Sequence, residues 1–234
     1  MKILALDSSA TSASVAILDD EKIVGEFNIN TRLTHSQTLM PMLKSLLECT
    51  NTSLDDIDRF AVCVGPGSFT GIRIGVSAVK GMCMGLDKPC IPVSTLESMP
   101  YNLISLDCIV CAVMDARCNQ VYNAMFDVSG GIVKRLTPDR AIMIEELKKE
   151  LCKYNKKIIL VGDGANLCYN NMRESLNIEI APEHLKYQNA VSVAQAAKNS
   201  DSVLSAKEIM PEYLRLPQAE RELKKRQSLV EGVK

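Results

Sequence analysis

VCVGPGSFTGIRIGVSAVKGMCMG, residues 62–85, joins a short apolar strand to a helix through a loop with glycines at 65, 67 and 71, and the helix carries more at 75, 81 and 85. A helix that starts behind a glycine loop can present backbone amides to an anion. Glycines inside the helix have a different use. Each costs about 1 kcal/mol of helix stability relative to alanine, so a helix that keeps several is expected to have something packed close against it. Ser68 and Thr70 are suited to capping its start. The loop lacks the Lys-Ser/Thr pair of a phosphate-binding P-loop, and Ser68 is not in a GxSxG nucleophile elbow.

Upstream, residues 3–7 (ILALD), 13–18 (ASVAIL) and 22–27 (KIVGEF) are short β-like runs, the last two joined by a turn at Asp19-Asp20-Glu21. His35 to Cys49 has apolar residues at 39, 42, 43 and 46, and also at 40 and 47, a helical arc wider than one core face uses. Pro41 within it predicts a kink or a late helix start, because it removes the bond to Gln37. Downstream, Cys90 to Val93 is a strand, and Ser94 with Glu97 forms a capping-box pattern.

From Asp107 the order of elements starts again. Cys108–Met114 is a strand, 120–127 and 132–136 form a hairpin across Ser129-Gly130-Gly131, and 141–151 is a helix. A strand at 157–161 then ends in Gly162-Asp163-Gly164 before a helical stretch. Both halves read βββαβα, the mark of a duplicated unit. A helix at 190–197 and an extended segment at 211–217 follow. The sequence thus divides into a first half over 1–105, a second over 106–218 and a charged tail over 219–234.

Composition narrows the function. The 234 residues are 47% hydrophobic, and 27 basic residues face 28 acidic ones for a net charge of -1. That supports a sizeable core and gives no overall pull toward nucleic acid or an anionic membrane. The first residues lack a signal-peptide core and no apolar run is of membrane-spanning length, so a cytoplasmic protein with no membrane contact is expected. Nine cysteines then read as thiols in a reducing compartment. Cys108 and Cys111 form a CxxC, but no second pair or nearby histidine completes a zinc site.

Two βββαβα halves resemble the α/β actin-like ATPase (ASKHA, RNase H-like) fold of actin, Hsp70 and the sugar kinases. That resemblance implies a nucleotide cleft between the halves, with Asp7, Ser8, Ser9 and Thr11 as candidate nucleotide-binding residues. The turn SSATSAS at 8–14 lacks the glycine that lets backbone approach a phosphate. MKILALDSSATSASVAIL, THSQTLMPML and above all GPGSFTGIRIGVSAVKGMCMGLDKPCIPVSTLES resemble the TsaB (YeaZ) family, with VMDAR at 113–117 and PEYLR at 211–215 as shorter matches. The family resemblance implies a partner of TsaD in tRNA threonylcarbamoyladenosine synthesis. It further implies recruitment of TsaE, homodimers when the protein is alone, tRNA contact only through the complex, and no cofactor of its own beyond ATP or ADP at the complex interface.

TsaD-like proteins carry an HxxxH metal motif on the helix after the strand that matches Cys90–Val93; the two positions fall here on Thr95 and Met99. Neither side chain replaces an imidazole on a hard metal, so no metal site and no catalytic residue are expected. His35 and His184 are in different halves. Leu39, Leu43, Leu46, Gly71, Arg73, Ile74, Gly75 and Ala78 are the candidate partner contacts, with Gly71 and Gly75 as a GxxxG face. Two other readings compete: a standalone ATP-dependent enzyme using Asp7 and the glycine turns, and a metallopeptidase, against which the missing histidine pair argues.

Overall fold

The computed structural model describes residues 1–31 and 33–215; the charged tail at 219–234 lies outside them. Two sheets carry the chain, and they repeat one plan. The first has strands β1 (Lys2–Asp7), β2 (Ala13–Asp19), β3 (Lys22–Ile29), β4 (Arg59–Gly65) and β5 (Cys90–Ser94) in the order β3-β2-β1-β4-β5. The second has β6 (Cys108–Asp115), β7 (Gln120–Ser129), β8 (Ile132–Arg135), β10 (Ile158–Val161) and β11 (Ile178–Ile180) in the order β8-β7-β6-β10-β11. In each sheet the first three strands are an antiparallel meander, and the fourth lies parallel to the first. This is the actin-like fold, an α/β duplication.

The helices follow from which strand faces need cover. Both faces of these central strands are apolar, as expected of strands buried on two sides. On the outer face of the first sheet, Leu4, Leu6, Val15, Ile17 and Val62 pack under α1 (His35–Thr50) and α2 (Phe69–Leu86). Ile109, Cys111 and Val113 pack under α4 (Ile144–Leu151) and α5 (Ala165–Met172) in the same way.

The inner faces are covered by exchange. Leu96 and Met99, in α3 (Thr95–Ser98) and the 3-10 turn after it, belong to the core of the second sheet. Conversely α7 (Ala190–Lys198) lays Ala190, Val193, Ala194 and Ala197 on Ile3, Ala5, Ala16 and Ala61 of the first sheet. Small side chains on both sides allow that close seat. Sequence order alone put 95–103 with the first half and 190–215 with the second, whereas packing ties each stretch to the opposite sheet as well.

Several local expectations change. α1 starts at His35 and runs unbroken through Pro41. Pro41 and Gln37 are both exposed, so water can satisfy the carbonyl that loses its partner. Ser68 does cap α2, its Oγ accepting from the Gly71 amide at 3.2 Å. Ser94 Oγ accepts from the Glu97 amide at 3.3 Å, but the Glu97 carboxylate turns to Arg135 at 3.0 Å, so the capping box is half formed. Residues 141–143, expected to open a helix, belong to an extra strand, β9 (Arg140–Met143), paired with β7. Cys108 and Cys111, three apart on β6, point into cores on opposite faces of the sheet and cannot act as a pair.

Candidate functional site

Between the halves lies a cavity of about 540 Å³, walled by Ser9, Thr11, Ser68 and Phe69 on one side and Asp115, Arg117 and Asp163 on the other. Its position follows from the topology, because parallel strands β1 and β4, and β6 and β10, all end there. The first-half wall is the turn after β1, and it is held shut from beneath. Ser8 is buried and its Oγ donates to the Gly71 carbonyl at 2.8 Å. Ser9 donates from its amide (3.1 Å) and its hydroxyl (2.7 Å) to Asp7 Oδ1, and the Ser68 amide donates to the Ser9 carbonyl at 2.7 Å.

Asp7 is fully buried, and beyond Ser9 the donor beside its carboxylate is the Cys63 thiol. Burial raises its pKa above the ordinary carboxylate value, against the lowering effect of the Ser9 donors. The neighbouring Cys63 thiol is pushed well up by burial and by Asp7 itself, so it stays protonated. Asp163, across the cavity, is also raised by burial, offset by the Asp115 amide that donates to its Oδ1 at 3.1 Å.

These positions correct the sequence assignment for nucleotide. Of Asp7, Ser8, Ser9 and Thr11, the first two do not reach the cavity, and Ser9 spends its hydroxyl on Asp7; only Thr11 exposes its side chain there. The amides of Ser68 and Gly71, at the helix start that would face a phosphate, are engaged. The residues present do not fit a nucleotide held through Asp7, Ser8 and Ser9.

The glycines of α2 are corrected too. A Cβ on Gly71 would sit 2.0 Å from the Ser8 carbonyl oxygen, and one on Gly75 would sit 2.5 Å from Ser8 Oγ. These glycines make room for the chain's own turn, not for a partner's helix. Leu39, Leu43 and Leu46 are buried in the first core, so they are not contact residues either. Ile74 and Ala78 are partly buried, and Arg73 is exposed, its Nε donating to the Tyr213 hydroxyl at 2.7 Å.

The apolar positions left exposed or half-buried on these helices include Met40 (48% exposed) on α1 and a strip of Ile74, Ala78, Gly81, Met84 (64% exposed) and Gly85 on α2, beside exposed polar residues such as Lys44, Arg73 and Ser77. A Cβ on Gly81 or Gly85 would meet nothing within 4 Å. The glycine spacing was visible in the sequence. Which pair faced outward was not.

Thr95 and Met99, at the HxxxH positions, are both fully buried; Met99 Sδ lies 3.1 Å from where a Cβ on Gly162 would be. His35 Nε2 hydrogen-bonds with the Ala10 carbonyl at 2.7 Å, so this histidine braces the turn after β1. His184 lines a separate crevice with Ser12. Sequence reasoning did not single out Asp115, Arg117 or Asp163 as site residues; VMDAR entered only as a resemblance.

The family model described as TsaD: tRNA N6-adenosine threonylcarbamoyltransferase matches residues 28–223. The tRNA threonylcarbamoyladenosine biosynthesis protein TsaB of Bacillus subtilis is 29% identical over 224 residues, covering 94% of this chain and 96% of its own. The chain belongs to the TsaB (YeaZ) family of the TsaD-like superfamily. TsaB of Escherichia coli is 38% identical over 128 residues, 54% of this chain and 55% of its own. A Pseudomonas aeruginosa structure described as an uncharacterized protein with similarity to peptidase YEAZ superposes with a TM-score of 0.80 at 25% identity, over 92% of this chain and 99% of that one.

Proposed function

We propose that the chain is a non-catalytic subunit of tRNA threonylcarbamoyladenosine synthesis that binds TsaD, supports its activity and helps recruit TsaE. The reaction served is threonylcarbamoyl transfer to the adenosine beside the anticodon, with tRNA reached only through the complex. The observation that carries this reading is the outward strip on α2. Ile74, Ala78, Met84 and two open glycines form an apolar face whose glycines admit a close neighbour.

The inner features of the fold support the same reading. Asp7 is closed off from the cleft, and Thr95 and Met99 stand where the catalytic relatives carry metal ligands. ATP or ADP therefore belongs at the boundary with the partners. The same strip pairs two copies of the chain when TsaD is missing. All nine cysteines are free thiols, and no helix among the described residues is long and apolar enough to cross a membrane, which suits work in the cytoplasm.

Met84→Glu puts a charge in the strip at a side chain that is 64% exposed and outside the core. Co-elution with TsaD on size-exclusion chromatography should be lost, with affinity down about 100-fold, the effect of roughly 2.7 kcal/mol. The variant should keep its circular dichroism spectrum. A complex that persists at wild-type affinity would place the interface elsewhere.

A further inference from the structure

After α7 the described residues, 199–215, add no strand to the second sheet. Leu204 pairs with Cys90 at the start of β5, and the Lys80 ammonium on α2 holds the carbonyls of Lys207 and Ile209. The segment then runs beside α2 toward the cleft. The Glu212 amide donates to the Val64 carbonyl at 2.7 Å, and a Cβ on Gly65 would lie 2.1 Å from the Glu212 oxygen, so the end of β4 is shaped to this seat. Tyr213 stacks on Phe69 with centroids 4.5 Å apart and accepts from Arg73 Nε. Two residues later the Arg215 guanidinium donates to the Ala116 carbonyl, in the opposite half.

The receiving end is a strained one. Arg117, Cys118 and Asn119, which follow Ala116 in the turn between β6 and β7, all have left-handed backbone, with φ of 65°, 56° and 55°. Three consecutive non-glycine residues in that region persist only where their surroundings hold them. Within the turn, Arg117 donates its amide to Asp115 Oδ1 at 2.7 Å, and the Gln120 amide donates to the Arg117 carbonyl at 3.2 Å. Arg215 supplies a charged donor from outside the turn, to Ala116, which lines the 540 Å³ cavity with Phe69 and Arg117.

The geometry points to residues 204–215 as a strap that bolts the two halves together, with Tyr213 as its anchor on α2 and Arg215 as the catch that holds the strained turn and sets the opening of the cleft. A molecule that enters the cleft from this side competes with Arg215 for the Ala116 carbonyl. The strap does not depend on the TsaD-binding reading, since every contact in it is internal to the chain.

Hydrogen exchange on the full chain tests it with Arg215→Ala, Arg215→Lys and Tyr213→Ala. Arg215→Ala should speed exchange of the amides at 116–121 about tenfold, the weight of one charge-assisted hydrogen bond. β6 and β10 should keep their protection. Tyr213→Ala should loosen the same turn, although its ring stacks on Phe69 and its hydroxyl binds Arg73 in the other half, because anchor and catch act as one device. Arg215→Lys, which keeps a donor, should restore most of the protection. Exchange at 116–121 within twofold of wild type in either alanine variant, or a rise spread evenly over β6 and β10, would overturn the strap.

Discussion

The first strand of each half ends in aspartate at the cleft, Asp7 after β1 and Asp115 after β6, and the two are treated in opposite ways. Asp7 pairs with Ser14 in the sheet register and Asp115 with Val121, so they hold corresponding places. Asp7 is sealed inside. Asp115 is partly exposed, and its carboxylate meets Arg117 at 3.4 Å. Beneath both turns lie glycines after the fourth strand: Gly67 and Gly71 against the carbonyls of Ser9 and Ser8, and Gly162 and Gly164 against the end of β6. The duplication kept the steric frame of a two-sided cleft, while the first half turned its polar groups inward. Among the described residues, the charge that lines the space between comes from Asp115, Arg117 and Asp163 of the second half.

The steric frame gives the largest expected effects. A Cβ at Gly71 would stand 2.0 Å from the Ser8 oxygen and one at Gly162 2.1 Å from the Val113 oxygen, the latter on a backbone of φ +98°. Neither neighbour is a flexible side-chain end. Gly71→Ala and Gly162→Ala should each lose about 3 kcal/mol in urea unfolding, the upper range of overpacking and backbone strain. If one half tolerates the methyl and the other unfolds, the two turns are not equivalent supports.

Asp7→Asn tests the sealed aspartate next. A carboxyl buried with only Ser9 and a thiol beside it is destabilising when ionised, and asparagine keeps an acceptor for Ser9 without the charge. Because burial raises the folded pKa of Asp7 above its ordinary 3.8, its neutral form favours the fold below that value, and this contribution is lost as pH rises through the folded pKa. The variant should therefore gain on wild type as pH rises from 3.8 to the folded pKa and hold that gain above it. The gain should reach about 1–3 kcal/mol, the cost of one unsatisfied buried group. Thermal midpoints across that pH range decide it, and parallel curves for Asp7→Asn and wild type would mean that Asp7 is solvated after all.

This contrast also marks how far the sequence could be read. The order of the elements was legible because strand runs, the Ser68 cap and the Gly130-Gly131 turn, with φ of 59° and 76°, are local signals. The exchange of inner-face cover was not, because α7 meets a sheet almost two hundred residues earlier in the chain. Residues 141–143 look helical until β7 supplies hydrogen bonds that local propensity does not know about. The site failed for the same reason: glycine spacing defines a helix face, but Ser8, some sixty residues upstream, decides that Gly71 and Gly75 face inward. Tyr213 and Arg215 left no periodic trace at all, since a strap is fixed by what it crosses.

The smallest expected effect tests the reassignment of the glycines most directly. Gly81 and Gly75 share one helix, but a Cβ on Gly81 would meet nothing within 4 Å while one on Gly75 would meet Ser8 Oγ at 2.5 Å. For the isolated chain, Gly81→Ala should therefore recover helix propensity, about 0.5–1 kcal/mol, and raise the thermal midpoint by about 2–3 °C. Gly75→Ala should lower it, because the Ser8 hydroxyl must give up its bond to the Gly71 carbonyl to make room. The same Gly81→Ala should weaken TsaD binding in calorimetry if a partner's helix uses the open space. A variant that is both more stable alone and weaker in the complex would identify Gly81 as a residue kept for contact at the expense of the monomer. If it is more stable alone and binds unchanged, the close approach is made elsewhere along the strip, and Gly85 is the next position to fill.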